Sequence, residues 1–139
     1  MFKIIIPGEP RGKGRPRFDR GHAHTDPKTA AYEQKIKDAF HEAYGDKKYP
    51  KDIPLDLRIV AYYGIPQSDS KKKQASKESH EIRPTKKPDF DNMAKIVADA
   101  LNNVAYHDDS QVVDSQFRKF YSRNPRVVIT IKVAWRAIP

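Results

Sequence analysis

Residues 88–101 read PDFDNMAKIVADAL, and this stretch decides the fold class. Met93, Ile96, Val97, Ala100 and Leu101 fall at i, i+3, i+4, i+7 and i+8, one apolar stripe on an amphipathic helix. The helix is predicted over 92–102, with Asp91 as its N-cap and Asn102-Asn103 as its exit. Such a stripe has to be buried against something, and the flanking sequence supplies a sheet. Leu55, Leu57, Ile59 and Ala61 alternate with Asp56, Arg58 and Val60 in a strand over 55–63. Two more strands, 111–121 and 126–135, follow the helix, and Arg123-Asn124-Pro125 reads as a hairpin turn that pairs them antiparallel. Upstream, Phe2 to Ile6 is a short strand ended by Pro7-Gly8. Asp26-Pro27 caps a second amphipathic helix over 28–44, where Tyr32, Ile36, Phe40 and Ala43 recur at helical spacing until Gly45. Residues 7–27 read as a loop with four prolines and four glycines. Residues 66–80, with Ser68 as a cap and Ala75 as the apolar residue, support at most a short solvated helix. The order β-α-β-α-β-β predicts the α+β class. We expect one domain over 1–139, a small mainly antiparallel or mixed sheet with helices packed on it.

The chain has 139 residues, enough for one core without a covalent staple, and no cysteine. Disulfides and thiolate metal sites are thereby excluded, and a reducing, cytoplasmic compartment is the expected setting. Ile4, Ile5 and Ile6 make too short an apolar run for a signal peptide. Nothing approaches the roughly 18 apolar residues of a membrane span. The 27 Lys and Arg against 18 Asp and Glu give a net charge of +9, which points to a polyanion partner, most often nucleic acid.

The charge is unevenly placed. Residues 1–30 carry net +4, 31–70 net −1, 71–87 net +5, 88–116 net −5 and 117–139 net +6. An acidic island therefore lies between two basic segments. Carboxylates beside a phosphodiester chain repel it unless a divalent cation, which takes oxygen ligands from both, neutralises the pair. In the extended chain before the helix, Asp89 and Asp91 point to the same side, at the positive helix end that favours ionised carboxylates. Lys95 follows Asp91 by one turn, and Asp99 is placed to pair with Lys95. The chain then turns back through His107-Asp108-Asp109 into a strand, which can bring Asp108 or Asp109 beside Asp89 and Asp91; strand alternation allows only one of the two to face the site. Read separately, the first motif is a cap with a turn and the second a polar turn. Together they predict a three- or four-carboxylate cluster, which would suit Mg²⁺, with Mn²⁺ as a substitute, rather than Zn²⁺. Such a site would activate a water for attack on phosphorus, with Lys95 stabilising the developing charge.

Candidate DNA contacts are Lys13, Arg15 and Arg17, in a loop where Gly12 and Gly14 allow close approach to phosphate. Lys71, Lys72 and Lys73 are further candidates, as are Lys86 and Lys87 just ahead of Asp89. His22 and His24 read as surface residues, His107 as a proton-transfer candidate, and Phe120 and Trp135 as core or interface.

K-P-D-F-D-N-M-x-K, followed by D-A-L-N-N and H-D-D-S-Q-V-V-D, resembles the signature of the RusA-like Holliday-junction resolvases. The N-terminal P-G-E-P-R-G-K-G-R-P-R-F is similar to the version in phage- and prophage-borne members. The resemblance implies a homodimeric, Mg²⁺-dependent crossover junction endodeoxyribonuclease of DNA recombination and repair, cutting four-way DNA by paired symmetric nicks. It places the family's acidic residues on Asp89, Asp91 and Asp109, with Asp108 adjacent, and its functional lysine on Lys95. A homodimer suits a junction of two-fold symmetry. A non-catalytic basic DNA-binding module and a nuclease of broader branched-DNA taste are the alternatives.

Overall fold

The computed structural model describes residues 1–135. Its chain order is β1 (Phe2–Pro7), β2 (Arg17–Asp19), β3 (His22–His24), α1 (Pro27–Tyr44), β4 (Leu55–Gly64), α2 (Lys71–Glu78), α3 (Phe90–Leu101), β5 (Val112–Ser122) and β6 (Arg126–Val133). The α+β class is as expected, with strand bounds within a residue or two of the predicted ones.

Local chemistry explains the helix ends. Asp26 caps α1 through hydrogen bonds accepted from the Lys28 and Thr29 backbone N–H groups, and Pro27 occupies the first turn. Gly45, at φ 62°, closes it. Helix α2 is capped by Ser70, which accepts from Lys73 N–H, and not by Ser68. Helix α3 begins two residues earlier than predicted, so Asp89 is its N-cap and Asp91 lies within its first turn. Its exit is as read: Asn102 is the C-cap and Asn103 takes the left-handed conformation, φ 60°.

The main sheet has the order β1-β6-β4-β5. Strands β1 and β4 pair antiparallel with β6, while β4 and β5 run parallel. The expected β5–β6 hairpin is therefore corrected: β4 lies between the two strands. Parallel pairing needs a long crossover, which residues 65–111 supply through α2 and α3. Arg123–Pro125 then steps across β4 over about 10 Å, two strand spacings, within reach of four Cα–Cα steps. The crossing is fastened where β4 ends. Gly8 N–H donates to Pro125 C=O at 3.0 Å, and Gly64 N–H donates to Glu9 Oε1 at 2.9 Å. A Cβ on Gly64 would stand 2.2 Å from that oxygen, so a larger residue would push the Glu9 carboxylate out of this contact. The predicted loop 7–27 also holds structure: β2 and β3 form a two-stranded ribbon about Arg20-Gly21, both at positive φ (50° and 81°), as a tight hairpin turn requires.

Helices α1 and α3 lie side by side on one sheet face, burying Tyr32, Ile36 and Phe40 with Met93, Ile96, Val97, Ala100 and Leu101. Ile4, Ile6, Leu57, Ile59, Ala61, Tyr63, Ile129 and Ile131 meet them from the sheet. The opposite face carries Ile5, Val60, Tyr62, Arg118, Phe120, Arg126 and Val128, all exposed or half-exposed. Phe120 is thus half-buried outside the core, and Trp135 is exposed, so of the two readings, core or interface, the structure removes the core one for both. His22 and His24 are exposed, as expected, although on a strand. Among the described residues, no helix is long and apolar enough to cross a membrane.

Candidate active site

The site is built around the first turn of α3. Buried Tyr63 on β4 donates its hydroxyl to Pro88 C=O at 2.7 Å, fixing the chain where it enters the helix. Asp89 follows as the N-cap, yet its carboxylate makes no hydrogen bond to the α3 backbone. Instead Oδ1 accepts from Asn92 Nδ2 at 2.7 Å, and the group remains exposed. The positive helix end favours its ionised form. Asp91 and Lys95 are exposed on the same helix, and among the described residues Lys95 has no carboxylate within ion-pair distance.

Gly12 brings the arginine-rich loop against this turn. A Cβ there would meet Pro88 Cβ at 2.9 Å and Asn92 Cβ at 3.0 Å, and Lys13 N–H donates to Asn92 C=O at 3.1 Å. The result is an open depression of about 650 Å³ with Arg11, Arg15, Lys28, Lys87 and Asp89 on its walls. A second depression, of about 460 Å³, lies on the other side of Asp89, against Lys86, Lys87, exposed Phe90 and Lys119. Asp89 belongs to both. Burial holds the Lys119 ammonium below its ordinary pKa, the Asp89 charge opposing that shift and Lys86 adding to it. Burial, with Asp89 second, pushes the Tyr63 phenol well above its usual range, so it stays a neutral donor. Tyr63, Lys119 and Arg11 were not singled out from the sequence. Only tertiary contact reveals the first two, whereas Arg11 belongs to the legible arginine run.

The predicted DNA contacts divide. Lys13 is an internal clamp: its Nζ lies 3.1 Å from Glu33 of α1 and 3.0 Å from Asp99 of α3. Burial alone would lower its pKa, but the two carboxylates outweigh burial and raise it. Asp99 therefore pairs with Lys13 and not with Lys95. Arg17 pairs with Asp26 at 2.8 Å, which holds that carboxyl below its usual range. Arg15, Lys86 and Lys87 are exposed beside Asp89. Lys71 and Lys72 are exposed on α2, and Lys73 sits 3.9 Å from Asp69.

The second acidic motif occupies the other end of α3. Asn102 Oδ1 accepts from Asp109 N–H at 3.2 Å, and Gln111 Oε1 accepts from the N–H groups of His107 and Asp108. The Ser110 hydroxyl donates to Asp108 at 2.9 Å and lowers its pKa. Asp109, although exposed, is raised, by partial desolvation first and then by Asp108 and Asp99. His107 shares this end, its pKa lowered by burial and then by Lys48 and Lys51. Twelve helical residues, about 18 Å, separate the ends. The predicted cluster is thus not assembled within one chain. Among the described residues no group of three or more His, Asp or Glu is placed to hold a metal ion. The reason is direction: β5 starts where α3 ends, with Val112 opposite Leu55, while Asp89 lies by Tyr63 and Lys119 at the far end of both strands.

The profile of a family described as "Endodeoxyribonuclease RusA" matches residues 7–132. A Bacillus subtilis (strain 168) protein named "Uncharacterized protein YqaN" is 39% identical over 139 aligned positions, taking in 94% of this chain and 95% of the relative.

Proposed function

The chain belongs to the RusA endodeoxyribonuclease family, and on that footing we propose that it is a homodimeric, Mg²⁺-dependent nuclease that resolves four-way DNA junctions by paired nicks. The observation that carries this reading is the position of Asp89, an exposed carboxylate at a helix N-terminus that pairs with no cation among the described residues, shared by two depressions with lysine- and arginine-bearing walls. An isolated acid would weaken binding to a phosphate chain there, unless it serves to bring a cation to it.

The donor set fits Mg²⁺. Asp89 and Asp91 offer hard oxygens within one helical turn, and Mg²⁺ commonly keeps several waters while taking one or two carboxylates plus substrate phosphate. When bound, the ion polarises a phosphate oxygen and lowers the pKa of a bound water. The protein's own groups hold the strand. Arg15, Lys86 and Lys87 neutralise phosphates on either side of the cut, and the Lys95 ammonium stands ready for negative charge developing near Asp91. Tyr63 keeps Asp89 in position. The dimer answers the division of the acids: an antiparallel approach of two α3 helices across a two-fold axis would bring Asp109 of the partner subunit to Asp89 and Asp91, with Asp108 alongside, completing two equivalent sites.

A labelled four-way junction incubated with Mg²⁺, Mn²⁺ or EDTA tests the reading. Paired nicks are expected with either metal and none with chelator. Binding without cutting would favour a non-catalytic DNA-binding module, and equal cutting of flaps, forks and linear duplex a broader nuclease.

A further inference from the structure

Rings and guanidiniums gather at the C-terminal ends of β4 and β5, on the sheet face away from α1 and α3. Tyr62 and Phe120 are register partners and stack at 6.0 Å with 28° between their planes. The guanidinium carbons of Arg83 and Arg118 lie 4.4 and 4.8 Å from the Phe120 ring centre, and that of Arg126 lies 3.9 Å from the Tyr62 ring.

These arginines differ from their neighbours on β4 and in the turn before β6 in what they lack. Arg58 and Arg123 each lie within 3.2 Å of a carboxylate. Among the described residues, Arg83, Arg118 and Arg126 have no carboxylate within 4.0 Å. Arg83 Nε donates to Lys119 C=O at 3.0 Å, and Arg126 Nη1 to Asn124 C=O at 2.8 Å. A guanidinium resting on a ring keeps its charge and has its plane fixed, while its edge donors stay available for a phosphate. Three cations without counter-charge repel one another, a cost that a polyanion relieves. The patch is also continuous with the site, since Arg83 and Arg118 wall the second depression, which Asp89 shares.

We propose that Arg83, Arg118 and Arg126, held on Phe120 and Tyr62, form a cradle for the phosphate backbone of a duplex DNA arm next to Asp89. The proposal rests on the DNA-binding reading above, and it assigns the arm to the open sheet face beside the β5 edge, away from the N-terminal loop. Its occupant is sugar–phosphate backbone and not stacked base, because guanidiniums already lie close to both rings.

The test is affinity for a labelled four-way junction in EDTA across a salt series. It compares wild type with R83Q/R118Q, R83K/R118K and F120L. The glutamine pair should weaken binding at fixed salt about tenfold or more and make the log K against log salt slope shallower by about 2, one for each phosphate that is no longer neutralised. The lysine pair should keep the slope yet lose several-fold in affinity, as should F120L, because charge survives while the fixed plane does not. An unchanged slope and affinity in R83Q/R118Q, with wild type still binding in EDTA and cutting when Mg²⁺ is supplied, would overturn the cradle alone. Wild type that binds no DNA would overturn the parent reading too. Should the pair fail to fold, R118Q suffices: Arg118 is exposed and its side chain makes no hydrogen bond among the described residues, and a slope shallower by about 1 is expected.

Discussion

The Tyr63 hydroxyl donates to Pro88 C=O at 2.7 Å, so a core residue of the sheet sets the position of the carboxylate that follows, Asp89. Replacing Tyr63 with Phe removes the donor and leaves a part-buried carbonyl without its partner. We expect a stability loss of about 1 kcal/mol. Single-turnover cleavage should slow more than junction affinity falls, since the acid shifts while the basic walls remain. Equal losses in rate and affinity would assign the tyrosine a general structural role.

The two ends of α3 permit a mixing experiment. Asp89→Asn and Asp109→Asn should each abolish cleavage with binding largely retained, because removing a carboxylate relieves repulsion with phosphate. Co-expressed heterodimers of the two variants should nick again. If each site takes Asp89 from one subunit and Asp109 from its partner, one of the two sites in the heterodimer is intact. Sites contained within single chains would leave the mixture dead.

Lys13 and Arg15 should part company. Lys13 bridges Glu33 and Asp99, so Lys13→Ala should cost about 1–2 kcal/mol of stability, read from urea denaturation, and leave the salt dependence of DNA binding nearly unchanged. Arg15→Ala should do the reverse: no measurable destabilisation, and a slope shallower by about 1. A steep loss of salt dependence in the lysine variant would place DNA on a residue that the fold already uses.

Asp109 gives a pH signature. Its pKa is raised in the folded protein above the ordinary carboxylate value of 3.8, so the native state holds the proton more tightly than the unfolded chain. Stability should therefore fall as pH rises from that value through the folded pKa. Asp109→Asn removes the ionisation, and its melting temperature should exceed wild type at pH 7 but match it near pH 3, where both side chains are neutral. A difference independent of pH would assign the effect to packing.

Much of the architecture was legible locally. The stripe from Met93 to Leu101, the alternation from Leu55 to Ala61 and the Asp26-Pro27 cap are short-range patterns, fixed by helical and strand periods and by backbone groups a few residues away. The acidic island at 88–116 likewise stands out from charge order alone. Strand neighbours, the partners of Lys13 and the distance between the two acidic motifs were not legible. Each depends on which distant segments meet: β4 enters between β5 and β6 because their apolar faces bury together, and α3 runs back along the sheet and carries Asp89 away from Asp109. Chemical identity is written residue by residue, but proximity is settled by how the buried surfaces close over one another.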